Sequence, residues 1–151
     1  MAAIPSTGRI LGVDWGEVRI GLAQSDESQI LASPLETLVR RPGRRVPMPR
    51  LLELIGAGQP VGVVVGLPLT PEGDEGPAAA EARALGELIG RRAALTVAYW
   101  DERHTTARVL SVMKEQGSSA RGQRGKVDAL AAAVLLQGYL DYRRAGVTGG
   151  R

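Results

Sequence analysis

Cysteine is absent from the 151 residues, which excludes disulfide staples and thiolate metal sites. The only histidine is His104, so histidine-rich zinc ligation is excluded as well. Phenylalanine is missing, and there are only two tryptophans and three tyrosines. Stacking platforms for unpaired bases are therefore sparse, and Leu, Val, Ile and Ala must fill the core. Lysine is scarce too: Lys114 and Lys126 are the only two among 19 basic residues. The other basic residues are arginines, whose planar forks suit phosphate. The net charge of +3 thus points toward a nucleic-acid partner, although a coding bias toward Arg, Ala and Gly would leave the same mark. No apolar run is long enough to span a membrane, and the N-terminus lacks a secretory-type apolar segment. The expectation is a soluble, cytoplasmic protein with no membrane partner.

What is present suffices for one core. Hydrophobic residues make up 44% of the chain, enough to fold a single domain of this length. We expect a flexible lead over 1–8, one domain over 9–144 and a flexible tail over 145–151. Strands are expected at Arg9–Trp15, Arg19–Ser25 and Ile30–Val39, the last interrupted by Pro34, which marks an edge or a bulge. Their short connections favour an antiparallel meander. A basic loop, Arg40–Arg50, leads into a helix starting near Pro47 and running to about Ala57. Val61–Gly66 is a continuous β-branched run, the mark of a strand buried on both faces. Pro77–Ala93 has helical apolar spacing. Leu95–Trp100 reads as a strand, Thr105–Gln116 as a helix, Ser118–Gly125 as a loop and Val127–Arg144 as a long helix. The order predicts an α/β fold: a mixed five-stranded sheet flanked by helices.

Three acidic sites fall where ligands collect in such sheets, outside the strand carboxyl ends. Asp14 ends the first strand, Asp101 and Glu102 end the last, and Asp128 opens the final helix. Each has an ordinary structural reading. Asp14 can cap the turn at Gly16, Asp101 can cap a helix, Glu102 can pair with Arg103 or Arg108, and Asp128 can answer a helix dipole. Their convergence argues for more. Clustered carboxylates repel, and a divalent cation relieves that repulsion. Magnesium and manganese prefer such oxygens, and pairs of these ions serve phosphodiester hydrolysis. The acids of the Glu72–Glu75 loop read as solvated.

The segments GVDWGEVRIGLAQSD, SPLETL, VVVGLPLTPEGDEGP, WDERHTT and KVDALAAAVLLQGYLD, together spanning about Arg9 to Asp141, resemble the YqgF family of pre-16S rRNA nucleases. That family is also described as Holliday-junction-resolvase-like and related to the RuvC resolvases. A lone D-x-G turn is a weak signal, whereas five motifs in order are specific. The resemblance implies an RNase H-like fold and a Mg2+- or Mn2+-dependent nuclease. It implies catalytic roles for Asp14, Asp101, Glu102 and Asp128. Metal binding would fall to Asp14, Glu102 and Asp128, with Asp101 as the alternative to Glu102. The implied task is maturation of the 5′ end of pre-16S rRNA in ribosome biogenesis, or resolution of Holliday junctions in recombination and repair.

This sequence departs from the family pattern in three places. His104 follows the D-E-R segment where a bulky apolar residue is usual. The loop reads TPEGDEG instead of the commoner form with Asn, Met and Ser. The fourth strand ends in Gly66-Leu67-Pro68, where RuvC resolvases carry a glutamate.

Around the acids, Arg19, Arg103, Thr105, Thr106, Arg121, Arg124 and Lys126 are candidates to grip the substrate backbone. Trp15 and Trp100 adjoin the acids and are candidates for base contact, while Tyr99 and Tyr139 suit core packing. The partner would be structured RNA or branched DNA, and the protein a monomer or homodimer, since two symmetric cuts favour a two-fold pair. Two other classes compete. A single-lobe nucleotide-binding kinase-like protein shares the Gly12–Gly21 turn, and a non-catalytic nucleic-acid-binding module would leave the acids without a task.

Overall fold

The computed structural model describes residues 3–40, 46–104 and 121–148, with side chains excepted at 104, 121–126 and 146–148. Its elements are β1 (Ile10–Asp14), β2 (Arg19–Ser25), β3 (Ala32–Val39), α1 (Met48–Gly58), β4 (Gly62–Leu67), α2 (Pro77–Ala93), β5 (Thr96–Asp101), a 3-10 turn (Glu102–His104) and α3 (Arg121–Thr148). The five strands form one sheet in the order β3-β2-β1-β4-β5. β1, β2 and β3 pair antiparallel, and β1, β4 and β5 pair parallel. This is the mixed sheet expected from the order of elements. All six residues of β4 are buried, as its unbroken apolar run predicts for a strand with neighbours on both sides and helices on both faces.

Pro34 marks both an edge and a bulge. β3 lies at the end of the sheet, and its register against β2 slips between Leu22 and Ala23, which face Glu36 and Pro34 and leave Leu35 as the extra residue. A proline cannot donate to a ladder, so an edge with a bulge is where it is tolerated.

The sheet separates two cores. Leu11, Val13, Ile20, Leu22, Val63 and Val65 face α1 and α2 through Leu51, Ile55, Leu85 and Ile89. Ile10, Ala23, Val64 and Trp100 face α3 through Ala132, Leu135, Leu136 and Leu140. The assignment follows from strand alternation, odd and even residues taking opposite faces.

Several expectations require correction. The last helix begins at Arg121, not Val127, so Arg121 and Arg124 belong to its first turns and not to a loop. Asp128 consequently sits well inside the helix, and a first-turn dipole does not account for it. The helix also continues to Thr148, past its expected end at Arg144 and into the stretch read as a tail. The lead is anchored: Ile4 is 3% exposed, its carbonyl accepts from Arg143, and Gln29 donates to the carbonyls of Pro5 and Gly8 at 2.9 Å each. A single isoleucine in so short a segment carries too little periodicity to be read as an anchor. The helix expected over Thr105–Gln116, with the candidates Thr105 and Thr106, lies outside the described residues, as do 41–45 of the basic loop.

Candidate active site at the carboxyl ends of β1 and β5

Three glycines bring the acids together. Asp14 is the last residue of β1, and its cross-strand partner on β2 is Gly21. A Cβ at Gly21 would collide with the main-chain carbonyl of Asp128, so the α3 backbone rests directly on β2 at this point. On the other flank Val13 pairs with Val65, which puts Asp14 beside Gly66. A Cβ at Gly66 would meet Leu135 and would lie 3.2 Å from Glu102 Oε2. A Cβ at Gly12, two residues before Asp14 on the same face, would lie 3.0 Å from the Leu136 side chain of α3. Gly21, Asp14 and Gly66 thus form a row across three strands, about 10 Å wide at ordinary strand spacing. Asp128 closes on one end of the row and Glu102 on the other.

All three carboxylates are buried, with Asp14 at 2%, Asp128 at 3% and Glu102 at 8% exposure. Buried carboxylates are rare unless paired or ligating, because desolvation penalises the charged form. Arg19 supplies one compensation: its Nε lies 2.8 Å from Asp128 Oδ2. Arg19 therefore binds a member of the acid cluster in this state.

Asp101 occupies a different position from Glu102. It stands in register with Leu67 of β4, whose side chain belongs to the core on the α1/α2 side. Its Oδ1 accepts from the Arg103 main chain at 2.9 Å, and its Oδ2 pairs with the Arg103 guanidinium at 2.9 Å. That hydrogen-bonded pairing raises the Arg103 pKa, and Arg103 extends to Gly73 of the β4–α2 loop. The structure thus sets Asp14, Glu102, Asp128 and Arg19 on the α3 side of the sheet, and the Asp101–Arg103 pair toward the other side. The side chains of Arg121, Arg124, Lys126 and His104 lie outside the described residues.

The two tryptophans also separate. Trp100 is 7% exposed and packs edge-on against Tyr139 and tilted against Tyr142, which makes it a core residue and not a base platform. Trp15 is half-buried at the end of β1. Among the Glu72–Glu75 acids, Glu75 forms a surface ion pair with Arg83 at 2.7 Å.

The glycine floor was not anticipated from sequence. Its signal was present in GVD, RIG and VVVG, where a glycine falls on the acid-bearing face of three different strands. Glycine weakens a strand interior and often marks close approach of another backbone.

A mixed sheet with buried acids at its carboxyl edge, under a helix laid on glycines, has the RNase H-like architecture. Residues 8–142 match the RuvX family, described as Holliday junction resolvase, and the chain belongs to that family. Over 150 residues it is 41% identical to a Rhodococcus opacus (strain B4) protein named "Putative pre-16S rRNA nuclease", covering 97% of this chain and 84% of that one. A protein of the same name from Anaeromyxobacter sp. (strain Fw109-5) is 44% identical over 137 residues, covering 91% and 99%. Among solved structures, Thermus thermophilus RuvC in complex with a Holliday junction substrate aligns with a TM-score of 0.58 at 17% identity, covering 92% of this chain and 96% of that one. The yeast mitochondrial Holliday junction resolvase Ydc2 aligns at 0.52 with 10% identity, covering 95% and 82%. At those identities the likeness concerns the fold, which is RNase H-like. Family membership makes the chain a hydrolase of the nuclease class. Among the described residues, no helix is long and apolar enough to cross a membrane.

Proposed function

We propose that the chain is a Mg2+- or Mn2+-dependent endonuclease whose catalytic carboxylates are Asp14, Glu102 and Asp128, and whose substrate is pre-16S rRNA at its 5′ end. The observation that carries this reading is the burial of three acids on one sheet face, drawn together over Gly21 and Gly66. Hydrolysing a phosphodiester needs charge stabilisation around the phosphorus. Three carboxylates alone would repel the phosphate, so they serve this chemistry only as ligands.

The donor set fits a hard divalent ion: every candidate ligand is a carboxylate oxygen, with no thiolate. Among the described residues, no three acidic or histidine side chains stand close enough to form a ready-made site; Arg19 holds Asp128 instead. Asp14, Glu102 and Asp128 would hold the ion, which when bound supplies Lewis-acid activation of water and of the phosphate. Asp14, central in the row, is positioned to share it. Arg19, once released from Asp128, can turn to a substrate phosphate on the exposed side. Arg103, tied to Asp101, braces the β4–α2 loop at the rim. Thr105, Thr106, Arg121, Arg124 and Lys126 are assigned the backbone grip, and cytoplasmic location follows from ribosomal RNA as substrate.

The names of the curated relatives favour precursor rRNA, and the family description favours a four-way DNA junction as the second substrate. Matched RNA and four-way DNA substrates, incubated with Mn2+, distinguish them. The Asp14→Asn chain should lose about 100-fold or more of the cleavage, since even outer-shell changes at metal sites cost 10–100-fold. It should still bind nucleic acid, because a lost carboxylate lowers repulsion toward phosphate. Unchanged cleavage by Asp14→Asn, in a preparation free of contaminating nuclease, would show that the acids are not the active site.

A further inference from the structure

Behind the acid row, on the α1/α2 side of the β1 terminus, lies a cleft of about 200 Å3. Trp15 and Arg40 form one wall, and Glu81, Ala84, Leu85 and Leu88 of α2 form the other. We propose that this cleft is a nucleobase slot, holding one unstacked base of the strand whose phosphate lies at Asp14. The proposal rests on the nuclease reading of the acid row and adds a substrate requirement to it.

Position comes first. Trp15 follows Asp14 directly, and adjacent Cα atoms are about 3.8 Å apart. The two side chains leave the chain toward opposite faces of the sheet, so a base whose phosphate lies at Asp14 reaches the cleft around the carboxyl end of β1. Size comes second. The cleft falls below the roughly 300 Å3 at which pockets for whole small molecules begin, so it suits a single flat ring better than a complete nucleotide.

The chemistry of the walls selects the occupant. The Arg40 guanidinium lies over the Trp15 ring, 5.4 Å from its centroid. It is fixed there by the carbonyls of Gly16 at 3.0 Å and Glu17 at 3.3 Å, and by Glu81 at 3.5 Å. With only 6% of its side chain exposed, it is a packed arginine that backs the Trp15 ring. Bases stack on aromatic rings and on guanidinium planes; with Arg40 buried, the half-buried Trp15 ring is the surface left to a base. Leu85 and Leu88 supply apolar walls. Glu81, 43% exposed, offers carboxylate oxygens to the N–H donors of a base edge and repels a phosphate from the same place. An apolar peptide side chain would leave this charged pair without use. A base can only enter if it is unpaired, so the preferred substrates carry a single-stranded end, loop or crossover beside the cut, and a continuous duplex is disfavoured.

The test uses the Asp14→Asn chain, which binds without cutting, and 2-aminopurine placed one position at a time through the unpaired strand of RNA and branched-DNA oligonucleotides. One position next to the cut should dim several-fold on binding. An abasic residue at that position should weaken binding about 10-fold, the scale of one lost base–aromatic stack. Ala84→Leu narrows the mouth from an exposed helix position while sparing every polar group. It should weaken binding of the intact strand and make the abasic strand no worse. Trp15→Phe should restore what Trp15→Ala loses, and thermal melts identify any variant that fails to fold. Binding with no position dimmed, or discrimination against the abasic strand that survives Ala84→Leu, overturns the slot. Mn2+-dependent cleavage by the parent chain is scored on the same strands. Cleavage without base dependence removes the slot alone, and base dependence without cleavage removes the nuclease reading alone.

Discussion

Toward α1 and α2 the sheet presents Leu11, Val13, Ile20, Leu22, Val63 and Val65; toward α3 three neighbouring strands present Gly12, Gly21 and Gly66 at the places of closest approach. On the first face branched side chains fill the space between layers, and each buried methylene adds to stability. On the second the glycines remove that filling, so the α3 main chain rests on the sheet and carries Asp128 toward Asp14. The difference shows how one sheet divides its labour. Both faces carry a core, and the α3 face gives up packing locally to bring like charges into a buried row.

The same class of substitution should act with opposite signs in the two regions. Gly21→Val forces a branched side chain into the Asp128 carbonyl, where only a shift of the helix can relieve it. We expect a loss of about 3 kcal/mol, a fall in melting temperature of roughly 6–12 °C. Gly56→Ala lies in α1 with nothing within 4 Å of the new Cβ, and should raise the melting temperature by roughly 2–4 °C through helix propensity. A tolerated Gly21→Val would mean that α3 does not rest on β2 as described.

Next in size is Arg19→Gln, which leaves Asp128 without the ion pair at 2.8 Å. It should cost about 2 kcal/mol in metal-free buffer, with the deficit shrinking as Mn2+ is added because the ion takes over the charge. An equal deficit with and without Mn2+ would separate Arg19 from any metal role.

The smallest effects belong to the surface pairs. Hydrogen bonds from Arg50 hold the Glu36 carboxyl below its ordinary value near 4.5, and those from Arg83 do the same for Glu75. A carboxylate depressed in the folded state contributes stability that is present above about pH 4.5 and fades as the pH falls through the lower, folded value. Glu36→Gln and Glu75→Gln should therefore differ slightly from the parent near neutrality and converge with it in acid, followed by thermal melts from pH 7 to 3. A widening gap in acid would reverse the sign.

Much of this organisation was legible in the residues. β4 announced itself through Val63–Val65, Pro34 marked the edge, and the acids at the ends of β1 and β5 fell at the carboxyl edge because parallel strands put them there. The choice between Asp101 and Glu102 was not legible. Adjacent residues on a strand face opposite ways, and only the register with Leu67 and Gly66 reveals which one shares the face of Asp14. The start of α3 was also hidden, because the Ser/Gly/Arg composition of 118–125 reads as loop while the helix gains its stability from packing further along. The Trp15–Arg40 cleft joins three distant segments and leaves no periodic trace.

The most direct test of the account compares Glu102→Gln with Asp101→Asn in Mn2+-dependent cleavage of a single substrate. Glu102, buried over Gly66 beside Asp14, should be as indispensable as Asp14, so Glu102→Gln should fall about 100-fold or more. Asp101→Asn, which loosens the Arg103 pair, should keep activity within about 10-fold of the parent. Abolished cleavage in Asp101→Asn with activity retained in Glu102→Gln would contradict the active site drawn here.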